Sequence, residues 1–179
     1  MEKPLISIIM PAYNAAETIG KALYAIRTQN YPQDKIEILV VDGGSTDHTR
    51  EIAAKYKAIV LNNKKKLPET AKEIGFCACS GKYALYVDAD EIFKNPDSLN
   101  KRVKIFKEHP DVKSITATGK ISAKGASPVT IYSNYVSDPF SYFVYRLDGN
   151  NRMKEMKGKY RYTDFEDYTI FYTTLQLYK

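Results

Sequence analysis

The sequence contains no tryptophan and only two cysteines and two histidines among its 179 residues. Cys77 and Cys79 are two positions apart in a predicted helix, where such side chains point to different sides. We therefore expect two reduced thiols rather than a disulfide. A zinc site built from thiolates is not expected, because no other cysteine is present. Reduced thiols are typical of a cytoplasmic protein.

Long apolar runs are also missing. No stretch approaches the ~18 apolar residues that a membrane-spanning helix needs, and the first ten residues lack the cleavage site of a signal peptide. The net charge of +6 suits phosphate-rich ligands, anionic membrane surfaces or nucleic acid. Lysine and arginine are scattered rather than gathered on one element, so no nucleic-acid partner is expected.

Apolar runs alternate with helical patterns over the first two-thirds of the chain. The predicted strands cover residues 5–10, 36–41, 58–62, 83–87 and 112–119. Four helices are predicted between or after these strands, one of them at about 68–79. The inner faces of the other three, in chain order, are Ile19, Ala22, Leu23 and Ile26, then Ile52, Ala53 and Tyr56, and finally Leu99, Val103 and Phe106. This alternation predicts an α/β fold with a mainly parallel central sheet flanked by helices on both faces.

The final third of the chain is less regular. Residues 149–159 are predicted to be a polar loop, and a helix is predicted to start near Asp164. The aromatic-rich stretch 135–147 is expected to pack in the core or line an acceptor site, with a lipid interface as the alternative. The length favours a single domain covering 1–179.

Three polar clusters follow predicted strands: Pro11–Asn14, Asp42–Asp47 and Asp88–Glu91. In open α/β sheets, ligands bind beyond the carboxyl ends of the strands. If the strands are parallel, all three clusters lie along one edge and outline a crevice. Their shared placement indicates a binding site more strongly than any single cluster.

The third cluster places Asp88 and Asp90 on either side of the small residue Ala89. Carboxylates this close repel each other unless a cation or a proton intervenes. The pair fits Mg²⁺ or Mn²⁺, which prefer oxygen ligands and share their shell with substrate phosphates. The alternative is a solvated turn that Asp90 caps.

The other two clusters also allow two interpretations. Asp42 directly follows a buried strand, where it is a candidate acceptor for a ring N–H of a base, whereas Ser45, Thr46 or Asp47 is a candidate helix cap. Tyr13 is a candidate for stacking on a nucleobase, or for packing on a neighbouring loop. Lys64–Lys66 are predicted to form a solvated loop.

Three stretches carry a resemblance to a known family. "SIIMPAYNAAETIGKALYAIRTQNYP" (7–32), "IEILVVDGGSTDHTREIA" (36–53) and "SGKYALYVDADE" (80–91) are similar, in order and spacing, to the family 2 glycosyltransferases. The resemblance implies the GT-A fold, in which a Rossmann-like half binds the nucleotide sugar. It further implies that residues 1–120 are the nucleotide-sugar-binding part and residues 121–179 an acceptor-side part.

The resemblance also implies residue roles. Asp90 corresponds to the metal-binding end of the D-x-D motif, with Asp88 beside it, and the expected cofactor is Mg²⁺ or Mn²⁺. The positions expected to contact a UDP- or GDP-sugar donor are Pro11, Ala12, Tyr13, Asn14, Glu17, Asp42, Gly43, Ser45, Lys72, Asp88, Ala89 and Asp90.

A late acidic motif, "DFEDYT" (164–169), matches the family's catalytic base in type and approximate distance. Asp167 is the expected base and Glu166 the second candidate, while an acidic helix N-terminus is the alternative. The implied reaction is hexosyl transfer with inversion to a glycan or lipid-linked acceptor. The basic charge balance and the aromatic stretch 135–147 are the grounds for expecting peripheral contact with the inner membrane face.

Two departures from the family pattern leave alternatives open. Lys72 and Glu73 stand where many relatives carry an Arg-Asn pair, and lysine lacks the bidentate fork of arginine. The chain also stops soon after the acidic motif, as expected of either a compact member or a truncated catalytic domain. A nucleotide-sugar-binding protein without turnover is therefore the alternative function.

Overall fold

The computed structural model describes residues 2–110, residue 115, residues 153–157 and residues 160–163. The chain divides into two compact units. The first contains a four-stranded sheet with its helices, and the second contains a two-stranded hairpin.

All neighbouring strands of the four-stranded sheet are parallel. The strands are β1 Ile6–Ala12, β2 Ile36–Asp42, β3 Ile59–Asn62 and β4 Tyr83–Tyr86, in the order β3-β2-β1-β4. This confirms the predicted parallel α/β sheet. It also makes β1 a central strand with a parallel partner on each side.

Helices cover both faces of this sheet, as predicted. They are α1 Ile19–Arg27, α2 Thr49–Lys55, α3 Pro68–Ala78 and α4 Ser98–Glu108, with a short 3₁₀ helix at Gln33–Lys35. Because strand side chains alternate between faces, Ile8 and Met10 pack on the side of α1, α2 and α4, whereas Ile9 packs on the side of α3. The predicted inner faces of α1 and α4 are buried.

Helix α3 approaches β1 closely at Gly75. A Cβ atom added there would lie 2.3 Å from Cγ2 of Ile9, whose side chain is fully buried. No side chain larger than hydrogen fits this contact unless α3 moves away from the sheet. Glycine is therefore required by packing at this position.

A polar network fixes the start of β4 against β1 and β2. The Ser7 hydroxyl accepts the N–H of Gly81 at 2.8 Å and donates to Glu37. The carboxylate of Glu37 also accepts the N–H of Ser80 at 3.0 Å and its hydroxyl at 2.6 Å. These bonds hold β4 in register beside β1 at the end of the sheet opposite the three polar clusters.

The prediction of a polar loop over 149–159 is wrong for residues 153–157. Strand β5, Met153–Lys157, pairs antiparallel with β6, Tyr160–Thr163, with an irregularity between Met153 and Glu155. The sequence of β5 has no clear alternation, but the tyrosines and threonine of β6 favour a strand. Backbone pairing with such a partner does not require an apolar pattern in both strands.

Other predictions of the final third lie outside the described residues. They are the strand at 112–119 apart from residue 115, the stretch 135–147 and the helix from Asp164. Cys77 is exposed, Cys79 is buried, and the two form no disulfide, as expected. No helix in the described ranges has the length and apolar character to cross a membrane.

We predict that Gly75→Ala lowers the free energy of unfolding by about 1–3 kcal/mol, the usual cost of forcing an extra methyl group into a packed core. Gly20→Ala in α1 is the matched control, because its Cβ would meet Ile52 at an ordinary 3.5 Å. Urea denaturation followed by circular dichroism measures both variants. Equal free energies of unfolding for the two variants would show that the close contact at Gly75 does not exclude a methyl group there.

Candidate functional site

The strand order creates a crevice between β1 and β4. The chain proceeds from β1 to β2 to β3 in one direction and then returns to place β4 on the other side of β1. Such a reversal is the point where ligands bind in open α/β sheets, beyond the carboxyl ends of the strands. Tyr13 follows β1 at this crevice, and Asp88 follows β4.

Pro11 marks the position where β1 and β4 separate. Ile9 accepts the N–H of Val87 at 3.0 Å, so its backbone faces β4. Two residues later Pro11 faces the same side, where the β4 ladder has already ended. A proline without an N–H is therefore tolerated in this central strand, and β1 continues to Ala12 beside β2 alone.

The loops after β1 and β2 are joined by reciprocal hydrogen bonds through Asn14. Its N–H donates to Oγ of Ser45 at 2.9 Å, and its Oδ1 accepts the N–H of Thr46 at 2.9 Å. Asn14 has φ of 47°, a left-handed conformation that asparagine tolerates better than most residues. Asn14 and Ser45, both predicted in the site, thus hold two strand ends together.

Asp42 is buried and already well satisfied within the chain. Its carboxylate accepts the N–H groups of Gly44 and Ser45 at 3.1–3.2 Å and the hydroxyl of Ser45. The guanidinium of Arg50 lies 3.5 Å away. Asp42 therefore shapes the turn after β2, and its role as acceptor for a base stays a prediction.

Asp47 joins the same two loops to the start of α2. Its carboxylate accepts the N–H and hydroxyl of Thr49 at 3.0 and 2.5 Å and the N–H of Ala16 at 3.0 Å. These hydrogen bonds, that of the Thr49 hydroxyl above all, hold the pKa of Asp47 below its ordinary value. The sequence pattern offered Ser45, Thr46 or Asp47 as the cap, whereas the N-cap residue of α2 is His48, and Asp47 bonds the first N–H of the helix from one position earlier. The bond to the loop after β1 was not predicted.

The ring of Tyr13 packs against the backbone of Gly43 at the crevice. Its side chain is 54% exposed, and a Cβ added to the buried Gly43 would lie 3.4 Å from the Tyr13 ring. The Gly43 N–H donates to the carbonyl of Ala12 at 2.8 Å. The ring is therefore backed by backbone on one side while much of it is open to solvent, which suits stacking with a planar ligand.

Lys66 also reaches this ring, although the sequence predicted only a solvated loop. Lys66 is exposed, as expected, but its ammonium lies 5.4 Å from the centre of the Tyr13 ring. This is within the distance of a cation–π contact. No local pattern in the sequence distinguishes it from Lys64 and Lys65, because the contact joins segments more than 50 residues apart.

The carboxylates of Asp88 and Asp90 lie at the end of β4, and both residues are exposed. The N–H of Glu91 donates to the carbonyl of Asp88 at 3.0 Å, and the Glu91 carboxylate accepts the N–H of Asp88 at 3.3 Å. The Glu91 side chain thus bonds the backbone of this turn, the position that the alternative to a metal site had given to Asp90.

The carboxylates of Asp88 and Asp90 fit a hard divalent cation. Asp88 and Asp90 supply carboxylate oxygens, the ligand type that Mg²⁺ and Mn²⁺ prefer. Within the described part of the chain, no three His, Cys, Asp or Glu side chains gather into a metal-binding group. Two carboxylates are compatible with such cations, since Mg²⁺ is commonly held by one or two carboxylates and by substrate phosphates.

Lys72 and Glu17 are the remaining predicted donor contacts. The ammonium of Lys72 lies 5.9 Å from the centre of the Tyr86 ring in β4, two residues before Asp88. Burial raises the pKa of Tyr86 to about 12, so its hydroxyl stays protonated and donates to the Lys72 carbonyl at 3.5 Å. Glu17 is exposed in the loop after β1. Asp167 and Glu166 lie outside the described residues.

Comparison with known proteins decides the family. A family model described as glycosyl transferase family 2 matches residues 7–170. The chain belongs to this family. Its sequence is 38% identical over 93 residues to glycosyltransferase AglE of Haloferax volcanii, covering 49% of this chain and 31% of that protein.

Two solved structures of glycosyltransferases are similar to the chain. Staphylococcus aureus TarS in complex with UDP-GlcNAc has a TM-score of 0.61 and 25% identity, covering 69% of this chain and 37% of that one. Mannosyltransferase PcManGT from Pyrobaculum calidifontis, in complex with GDP-Man and Mn²⁺, has a TM-score of 0.61 and 27% identity, covering 66% and 36%. This confirms the GT-A fold, and the chain spans about a third of each of these proteins.

We predict that Asp47→Asn destabilises this family 2 domain in a pH-dependent manner. The folded-state pKa of Asp47 is lowered, so its stabilising effect is complete above its ordinary pKa of 3.8 and is lost as the pH falls through the folded-state value. Urea denaturation should show a deficit for the variant at pH 7 that shrinks below pH of about 4.

Asp34→Asn, an exposed carboxylate before β2, is the control for this pH series. It should show little difference from the unmodified protein at pH 7. A deficit for Asp47→Asn that stays constant down to pH of about 2 would contradict the assignment of the effect to the carboxylate charge.

Proposed function

We propose that this chain is the nucleotide-sugar-binding and catalytic part of a metal-dependent, inverting glycosyltransferase. It transfers a hexosyl group from a UDP- or GDP-sugar to an acceptor hydroxyl or lipid phosphate. The observation that supports this best is the crevice between β1 and β4. The loops after β1 and β2 are hydrogen-bonded to each other at this edge of the sheet, and the acidic loop after β4 follows the strand next to β1. Two similar glycosyltransferase structures hold a UDP-sugar and a GDP-sugar.

The nucleoside is assigned to the β1–β2 side of the crevice. Tyr13 offers an exposed aromatic face for the base, and Gly43 lets the backbone come close. Asp42 holds the turn that carries Gly43 and Ser45. The residues that complete this side of the proposed donor site are Pro11, Ala12, Asn14 and Glu17.

The diphosphate is assigned to the β4 side, with Lys72 near it and with Asp90 and Asp88 as the residues that would hold Mg²⁺ or Mn²⁺. When bound, such a cation stabilises the negative charge of a diphosphate leaving group. The carboxylates contribute by fixing this positive charge at one end of the crevice. Ala89 between them keeps the approach free of a bulky side chain.

The chemical step is a single displacement. Asp167, or Glu166 in its place, removes the proton of the acceptor hydroxyl while the acceptor oxygen forms a bond to the anomeric carbon. The bond from that carbon to the diphosphate oxygen breaks, and the electron pair leaves with the diphosphate. Attack opposite the leaving group inverts the anomeric configuration.

Binding without turnover is the second candidate function. Lys72 and Glu73 replace the Arg-Asn pair of many relatives, and Lys72 lies over the ring of Tyr86 rather than presenting a bidentate fork. Fewer contacts from α3 to the nucleotide sugar favour binding without efficient transfer. The two functions are distinguished by product formation, since both include nucleotide binding.

We predict that UDP or GDP, or a sugar conjugate of one of them, binds the purified chain with Mn²⁺ and at least about tenfold more weakly without it. Asp90→Ala should remove the metal-dependent part, because one of the two carboxylate ligands is lost. Calorimetric titration measures both. Asp34→Ala, a carboxylate before β2 near the opposite end of the sheet, is the control and should leave affinity unchanged.

Absence of nucleotide binding in a chain shown to be folded would contradict the proposed function. Equal nucleotide affinity with and without Mn²⁺ would support the nucleotide site but contradict the proposed metal dependence.

We further predict that Asp167→Asn lowers the rate of transfer by at least about 100-fold, a typical contribution of a general base. Donor affinity should stay within a factor of about two, because Asp167 is assigned to the acceptor. Transfer is measured with a panel of glycan and lipid-linked acceptors, and NMR of the product reports the anomeric configuration. A product with retained configuration would reject the single displacement.

A further inference from the structure

We infer that Lys66 selects the base of the donor nucleotide, favouring uracil and guanine over cytosine and adenine. This inference rests on the proposed function and adds a specificity residue to it. Lys66 lies in the loop between β3 and α3, which the sequence pattern did not connect with the site.

Asn63 builds the turn that positions Lys66. The buried Asn63 donates its backbone N–H to the carbonyl of Asp42 at 2.8 Å and its amide Nδ2 to the carbonyl of Leu67 at 2.8 Å. Its own carbonyl accepts the N–H of Lys66 at 3.2 Å. The turn is thus attached at one end to the strand end that carries Asp42.

Lys66 itself has a backbone conformation that lysine rarely adopts. Its φ is 57°, in the left-handed region, which is sterically unfavourable for a residue with a Cβ. Such conformations persist where the surrounding contacts determine them, and they concentrate at functional sites. The hydrogen bonds of Asn63 supply those contacts for the backbone of Lys66.

The side chain of Lys66 extends across the turn after β2 to Tyr13. Its Cε lies 3.7 Å from the position that a Cβ on Gly44 would occupy, and its ammonium is 5.4 Å from the centre of the Tyr13 ring. A base that stacks on Tyr13 therefore lies close to this ammonium group.

The ammonium of Lys66 lies beside the ring that is proposed to stack on the base. Its loop follows β3, whereas Asp88 and Asp90, which are assigned to the diphosphate, follow β4 at the other edge of the sheet. The Lys66 side chain crosses the turn after β2 and ends 5.4 Å from the centre of the Tyr13 ring. Its charge is therefore assigned to base recognition, and an equal loss of affinity for both nucleotides of a pair would indicate phosphate binding instead.

An ammonium group donates hydrogen bonds and accepts none. Uracil and guanine present carbonyl oxygens at the base edge where cytosine and adenine present amino groups. Lys66 can thus donate a hydrogen bond to uracil or guanine. With cytosine or adenine, its ammonium group would face an amino group, and two hydrogen-bond donors would meet. Exposure of the lysine limits the effect, and we expect a preference of about tenfold.

The test compares UDP with CDP, and GDP with ADP, by calorimetry in the presence of Mn²⁺. Lys66→Met keeps most of the aliphatic stem but removes the donor, and it should reduce the UDP/CDP or GDP/ADP affinity ratio of the unmodified chain by about tenfold. Lys66→Arg retains a donor and should keep most of the preference. Lys64→Met is the matched control and should leave the ratio unchanged.

Thermal denaturation of each variant confirms that affinities are compared between folded proteins. An affinity ratio that is unchanged in Lys66→Met would overturn the role of Lys66 in base selection while leaving nucleotide binding established. The same holds if the variant binds both nucleotides of a pair more weakly by the same factor. Failure of the unmodified chain to bind any of the four nucleotides would overturn the proposed function and this inference together.

Discussion

Strand β1 pairs in parallel with β2 on one side and β4 on the other, and the positions of all three site loops follow from this pairing. Ala12 is level with Asp42 across the β1–β2 ladder, and Asp42 is level with Asn62 in β3. The β4 ladder ends at Ile9, before Pro11 removes a backbone donor. The crevice opens at this end because one neighbour of β1 continues while the other departs.

The loops at this edge are ordered by the chain's own hydrogen bonds. Asn14, Asp42 and Asp47 connect the ends of β1 and β2 and the start of α2. A site organised before the ligand arrives loses less conformational entropy on binding. The left-handed backbone of Asn14 and Lys66 is the local cost of this organisation.

Charge is distributed unevenly along the edge. Lys66 lies on the β3 side, and Arg50 is paired with the buried carboxylate of Asp42. The exposed carboxylates Asp88 and Asp90 lie on the β4 side. Under the proposed function, a cation at the β4 end compensates these carboxylates and draws the diphosphate there, so the base is left to Tyr13 and Lys66.

The sequence by itself determined the parallel α/β sheet, the buried faces of α1 and α4 and the gathering of three polar strand ends, because these depend on local periodicity and on the geometry of parallel strands. It did not reveal β5, whose pairing depends on its partner strand. The tertiary structure alone decided that Asp42 is satisfied within its own turn and that Lys66 reaches Tyr13. The second depends on a contact between separate loops, which no local pattern in the chain encodes, whereas the first depends on the conformation that the turn of residues 42–45 adopts in the fold.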